Sequence, residues 1–338
     1  MTMPRSRSGG AALITALLIA ALAAVMVSGM LWHQWGAISR EQTAKEATQA
    51  RWILRGAVDW ARLILREDAR NSSVDDLSEP WAVPLAESRL STFLAARGQS
   101  AGSLPDAWLE GHITDAQSRF NLANLAPAGR PDPVAAAIFA RLCATLGVGD
   151  GPLNAIASGI ASSASIAQSA ALTPTPAAAA SLPSAQTDGS GSTLPLRDLQ
   201  DVARLSPEVA AALPQLAPYV TLLPQPTPVN ANTASATVLA AVLDLSADAA
   251  ARLVQVRKRA YFRSTADITT ALGKQPAPTI NPLQVGVSSS FFDATAAVRI
   301  GQFAYAERAL IQRVGLLTQV LRLQRVPPWL AQSPAATP

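Results

Sequence analysis

Residues 8–35 read SGGAALITALLIAALAAVMVSGMLWHQW, and this stretch decides the reading of the chain. Arg5 and Arg7 lie in a short polar segment that ends Ser8-Gly9-Gly10. No Asp, Glu, Lys or Arg then occurs from Ala11 through Ser39. A helix rising 1.5 Å per residue needs about 20 apolar residues to cross the ~30 Å hydrocarbon layer, and residues 11–32 suffice. The basic residues nearest the run, Arg5 and Arg7, stand before it, which places the N-terminus on the cytoplasmic side. Trp32 and Trp35 fall where indole rings settle at the outer interface. An ordinary secretory signal has small residues after its apolar stretch and a shorter apolar core; here Gly9-Gly10 comes first. An uncleaved single-pass anchor is the other alternative.

Helical character extends past the membrane stretch. Residues 42–70 contain no proline, and Gly56 is their one glycine. Ala50, Leu54, Ala57, Ala61 and Ile64 recur at spacings of four and three and predict an apolar stripe. Arg51, Arg55, Asp59, Arg62 and Arg66 occupy the remaining faces.

Composition narrows the function classes. A chain of 338 residues has room for about two domains. Charged residues make up 15 % and the net charge is +4, with the arginines scattered, which gives little support to a nucleic-acid partner. Cys143 is the one cysteine, so no disulfide can form within the chain, and it reads as a small apolar side chain on a helix. The two histidines, His33 at the membrane edge and His112 at an expected strand start, have no catalytic partners in sequence. No glycine-rich phosphate loop, CxxC pair or His/Glu cluster at metal spacing occurs. The expectation is a protein that is not an enzyme.

Downstream, residues 71–79 are polar and read as a loop. Glu79-Pro80-Trp81-Ala82-Val83-Pro84-Leu85 and the segment from Gly111 through Asp115, Arg119, Phe120, Asn121, Leu122, Asn124 and Leu125 follow. Residues 131–147 predict a helix with Asp132 as N-cap and Pro133 at its first position. From 151 to 195 Ala, Ser, Thr, Pro and Gly dominate, Asp188 is the lone charge, and residues 173–193 are expected to be mobile. Order resumes at Leu196 and leads through Tyr219-Val220-Thr221-Leu222-Leu223-Pro224 to Val229-Asn230-Ala231-Asn232-Thr233-Ala234. Two helices joined at Asp244-Leu245-Ser246 come next. In the last third, Asp293, Thr295 and Arg299 alternate with Ala294, Ala296, Val298 and Ile300. Residues 304–314 and 315–323 suggest two further strands, hence an antiparallel meander.

A short basic leader, a glycine and an apolar helix resemble the type III signal of type IV pilins and pseudopilins, and Gly10-Ala11-Ala12-Leu13-Ile14-Thr15 resembles the K-type minor pseudopilins of type II secretion systems. The tryptophan-proline segment, the block from Ile113 to Leu125 (with Ala123 inserted) and the Val229–Ala234 phrase are similar to the same family. The resemblance implies an α+β pilin-like fold: a long N-terminal transmembrane helix plus an antiparallel sheet, with a large inserted all-helical domain. It divides the chain into a cleaved leader (1–10), the N-terminal helix (11–70), a first pilin-like part (71–129), the insert (130–278), the second pilin-like part (279–325) and a disordered tail (326–338).

The resemblance also implies cleavage between Gly10 and Ala11 by a prepilin peptidase and methylation of the Ala11 amine. Thr15 stands at the fifth mature position, where most pilins carry a glutamate. A subunit without that carboxylate cannot neutralise the amine of a neighbour above it, and an unpaired ammonium in the bilayer is costly. The implied role is therefore the tip of a periplasmic pseudopilus anchored in the inner membrane. Implied partners are the I-type and J-type minor pseudopilins and the major pseudopilin. Family members bind calcium through an acidic segment of the insert. Here its equivalent between Asp150 and Arg197 offers Asp188 alone in its middle, so no ligand residue, metal or cofactor is assigned. Packing of Leu142, Leu146, Ile156 and Ile160 is expected to hold that region instead. The alternative is a DNA-uptake minor pilin, because residues 232–259 resemble a helix-hairpin-helix unit. Against it, the hairpin Asp244-Leu245-Ser246 has no glycine and puts a carboxylate where a phosphate would sit, although Arg257-Lys258-Arg259 follow.

Overall fold

The computed structural model describes residues 9–95, 106–172, 195–273 and 280–331. Helix α1 (Gly9–Asn71) is 63 residues long, about 95 Å at 1.5 Å per residue. Its first half is exposed; its second half lies along the sheet. The buried stripe is Ala50, Leu54, Val58, Ala61 and Leu65. Ala57 and Ile64, expected as members of the stripe, form its half-buried flank. The 3.6-residue period permits either choice, and packing against the sheet selects Val58 and Leu65. Each fully buried Leu or Val here contributes about 1.5–3 kcal/mol.

A 3₁₀ turn at Pro80–Ala82 brings Trp81 into the core, edge to face with Phe292 at 5.3 Å. Then come β1 (Leu85–Arg89), α2 (Leu90–Ala95), β2 (Ala107–Asp115) and the short β3 (Phe120–Asn121). The helical domain follows in chain order: α3 (Pro133–Leu146), α4 (Asp150–Leu172), α5 (Leu199–Ala203), α6 (Pro207–Leu216), β4 (Val220–Thr221), β5 (Val229–Asn230), α7 (Ala236–Leu243), α8 (Ala247–Arg259) and α9 (Thr265–Leu272). The chain returns through β6 (Val285–Gly286) to β7 (Phe291–Ile300), β8 (Phe303–Val314) and β9 (Leu317–Val326).

Five strands form an antiparallel sheet in the order β1-β2-β7-β8-β9. The helical domain thus enters between two neighbouring strands, β2 and β7. His112 sits inside β2 rather than at its start, because pairing with β7 already begins at Ala107↔Ile300. The meander β7–β9 turns through two-residue loops whose first residues, Gly301 and Gly315, both have φ +56°, a conformation that favours glycine. Gly315 therefore belongs to a turn, and β9 starts at Leu317 rather than at 315. The simple alternation expected of β7 is overridden. Phe292, Ala294 and Val298 pack toward α1, while Phe291 meets Leu223 and Leu310, and Ala297 meets Ala306 and Val326. Both faces of this central strand are covered.

The helical domain has its own core. Asp132 caps α3 by accepting from the amides of Val134 and Ala135, Pro133 opens it, and Gly147 ends it. Phe139 stacks on Phe120 at 6.0 Å. Leu142, Ile156 and Ile160 are buried with Leu146 packed beside them, as their expected structural role requires. The first half of the Ala/Ser-rich stretch is the 23-residue helix α4. Alanine is the best helix former, and Ser158 and Ser162 return their hydroxyl hydrogens to the carbonyls of Asn154 and Ser158. Two short parallel pairs, β3–β4 and β5–β6, tie the domain to the sheet side. The segment 173–193, expected to be mobile, lies outside the described residues. The tail expected to be disordered from 326 begins with order: Val326 ends β9, and Pro328–Ala331 forms a 3₁₀ turn near β7 and β8. Residues 332–338 are outside the described set.

Candidate functional site

Gly10 and Ala11 lie in the first turns of α1. Thr15 is one turn further on, exposed on the helix surface. Leu13, Ile19, Met26, Trp32 and Trp35 are each between 67 % and 78 % exposed. One helix of the described chain is long and apolar enough to cross a membrane, none of its apolar window is buried, and it lies near the N-terminus. Such a surface requires lipid or protein around it, which is consistent with single-pass membrane anchoring. Within that surface Thr15 offers a hydroxyl, not a carboxylate.

Polar groups converge where the sheet, the end of α1 and the helical domain meet. Asp115, at the end of β2, is fully enclosed. Its Oδ2 accepts from Thr233 Oγ1 (2.6 Å), Ser289 Oγ (2.6 Å) and Asn230 Nδ2 (3.0 Å), and its Oδ1 from the Gln117 amide (2.7 Å). Burial pushes the Asp115 carboxyl up to about 6, and these donors oppose the rise. Beside it, Arg313 of β8 donates to Asp68 Oδ2 at 2.8 Å and forms a second ion pair with Asp75. Burial raises the pKa of both carboxyls, while the guanidinium draws them back down. The carboxylates of Asp68, Asp75 and Glu79 lie within 4.8 Å of one another. Arg313 supplies the positive charge for the first two, and Glu79 instead accepts from Trp81 Nε1 at 2.7 Å.

Most of the remaining motif residues serve the same junction. Arg119 pairs with Asp293 at 2.6 Å. Asn121 donates to the Gln225 carbonyl and accepts from the amides of Ala123 and Leu223. Asn124 exchanges hydrogen bonds with the backbone of Thr227, and Asn232 does so with that of Phe262. The Asn121–Asn124 block and the Asn230 and Thr233 side chains are therefore polar seams between helical domain and sheet, whereas Asn232 fastens a loop within the helical domain. Asp68, Asp75, Ser289 and Arg313 were not singled out by the sequence reading. The proximity of Asp75 and Asp76 to the end of α1 was the available signal, but in sequence the pair reads as part of a solvated loop.

The other flagged residues stay apart. His33 is exposed on α1, and His112 is half-buried in β2. Cys143 is buried in the helical core, which pushes its thiol up to about 11. At the α7–α8 hairpin Asp244 has φ +52° and an exposed side chain. Arg257 turns inward to donate to the Ala231 carbonyl at 2.6 Å, and burial lowers its pKa to about 10. Lys258 and Arg259 remain exposed at the end of α8.

Two family models match the chain, both described as type II secretion system (T2SS), protein K: one over residues 118–225 and one over 229–288. The type II secretion system protein K of Klebsiella pneumoniae is 30 % identical over 355 aligned positions, covering 96 % of this chain and 98 % of that protein. The protein of the same name from Pseudomonas aeruginosa is 28 % identical over 317, covering 91 % and 90 %. In three dimensions the fold matches a chain in the crystal structure of the GspK-GspI-GspJ complex from the enterotoxigenic Escherichia coli type 2 secretion system. The TM-score is 0.62 at 19 % identity, with 85 % of this chain and 99 % of that one covered. The long N-terminal helix, antiparallel sheet and inserted helical domain are that pilin-like α+β fold. The chain belongs to the type II secretion system protein K family.

Proposed function

We propose that this chain is a minor pseudopilin that sits at the tip of a periplasmic pseudopilus and initiates its assembly for protein export across the outer membrane. The observation that carries the reading is the pairing of an exposed apolar stem, bearing Thr15 where a stacking glutamate is usual, with a bulky helical domain joined to the sheet. Such a subunit can place its own amine on the subunit below but offers no carboxylate to one above. It acts by binding and packing, without catalysis or a resident cofactor. A prepilin peptidase would cut between Gly10 and Ala11 and methylate the new amine. The stem would hold the chain in the inner membrane with its N-terminus cytoplasmic and its C-terminal part periplasmic. Partners would be I-type and J-type minor pseudopilins, as the composition of the matched complex suggests, and the major pseudopilin below them. The inward turn of Arg257 and the carboxylate of Asp244 count against the DNA-uptake reading.

The test is co-purification of the full chain from detergent with I-type and J-type subunits, combined with immunogold labelling of pseudopili. Label confined to one filament end is expected. Label spread along the filament would sink the tip assignment.

A further inference from the structure

Strand β9 forms an open edge of the five-stranded sheet; among the described residues no strand pairs with its outer side. It is ten residues long and opposes β8 in a register with one bulge, between Leu310 and Ile311. Val314 and Leu317 close a two-residue loop, so alternate residues beyond them direct their N–H and C=O groups outward. These are Thr318, Val320 and, past the bulge, Leu323 and Arg325. Two hydrogen bonds agree with this phase: Arg313 N donates away from β9, to the Ser290 carbonyl at 2.7 Å, and the Thr318 carbonyl accepts from Arg62 at 2.9 Å. Leu317, Leu321 and Leu323 are 74 %, 37 % and 42 % exposed.

The charge around this edge is predominantly positive, with Asp59 on the helix and Asp198, which accepts from Gln324 of β9 at 2.6 Å, as the acidic exceptions. Strand β9 carries Arg322 and Arg325 and no Asp or Glu. On α1, Arg51, Arg55, Arg62 and Arg66 recur at spacings of four, seven and four, which puts them on one flank of the helix. The contact of Arg62 with Thr318 identifies it as the flank beside β9. Arg62 is paired with Asp59, whereas Arg51, Arg55 and Arg66 form no ion pair with any described residue. Proteins commonly blunt an edge with charge. Here the charge repels a second copy of the same edge and attracts an acidic strand.

We propose that the outer edge of β9 accepts an extended, acidic strand of another pilin-like subunit, whose carboxylates meet the arginine flank of α1. The backbone groups from Val320 to Arg325 supply the pairing, and Leu321 and Leu323 the side-chain contacts. The proposal rests on the pseudopilin reading.

The test measures assembly of the full-length chain in detergent with I-type and J-type subunits. Leu323→Pro deletes an outward N–H and leaves the β8 ladder intact; Leu323→Ala keeps the N–H. Arg55→Glu combined with Arg66→Glu reverses charge at exposed helix positions where folding is not at stake. Leu323→Pro and the charge reversal should each weaken the complex about tenfold, with Leu323→Ala losing less. If Leu323→Pro unfolds the chain, the charge reversal decides. A complex of unchanged affinity with the charge-reversed chain overturns the β9 assignment and leaves the pseudopilin reading standing. A photocrosslink from position 321 to a second copy of this chain overturns the occupant. Failure of the unmodified chain to form any complex overturns both readings.

Discussion

Thr233 Oγ1 donates to Asp115 Oδ2 at 2.6 Å, joining residues 118 positions apart in the chain. Thr233 belongs to the helical domain and Asp115 to the strand beside β7. This bond, with those from Asn230 and Ser289, holds the helical domain against the sheet. Asp75 and Arg313 continue the polar network to the end of α1 and to β8, so the junction joins the helical domain, the sheet and the end of α1.

The pH dependence of stability follows from Asp115. Its folded-state pKa of about 6 lies above its ordinary value of 3.8. Between these values the folded chain binds a proton that the unfolded chain releases, so stability falls as pH rises through the window from about 4 to 6. The effect is on the order of 3 kcal/mol. The buried carboxyls of Asp68 and Asp75 shift in the same direction. The full chain in detergent should melt higher at pH 5 than at pH 7, and Asp115→Asn should reduce that difference. A pH-independent melting temperature in the unmodified protein would contradict this account.

Arg313→Met should be among the most damaging single changes outside the stem. It leaves Asp68 and Asp75 buried without their cation, a loss of about 3–5 kcal/mol and roughly 10 °C in melting temperature. Adding Asp68→Asn and Asp75→Asn to Arg313→Met should recover much of it, because the uncompensated charges are gone. Chemical denaturation of the single and triple variants checks both statements.

Processing is tested at Gly10. If the proposed cleavage after Gly10 occurs, Gly10→Leu places a branched side chain at the cleaved bond and the chain should keep its first ten residues. Intact mass of the membrane-extracted protein distinguishes the forms. A mature species beginning after Trp32 would show an ordinary secretory signal instead.

Calcium should leave thermal stability unchanged. A bound ion at a hundredfold excess over its Kd would add about 2.7 kcal/mol, a shift of several degrees. Packing of Leu142, Ile156 and Ile160 already accounts for the described part of the region. Melting the full chain with calcium and with chelator gives the comparison, and a fall of several degrees in chelator would reveal ligands that the described residues do not supply.

The sequence by itself determined the elements whose signals are local. The uncharged run after Gly10, the Asp132-Pro133 cap, the Asp244-Leu245-Ser246 break and the alternation around Ala294 act within a few residues, and each element formed. Phrases such as Val229-Asn230-Ala231-Asn232-Thr233 marked the junction without revealing its chemistry. Only the tertiary structure decided that β2 lies beside β7 across the whole helical domain, that both faces of β7 are covered, and that Asp75 is buried against Arg313. The physical reason is range. Period, capping and turn preferences operate over one helical turn or one strand repeat. Whether a charged side chain is solvated or buried depends instead on partners that the chain brings together from more than a hundred residues away.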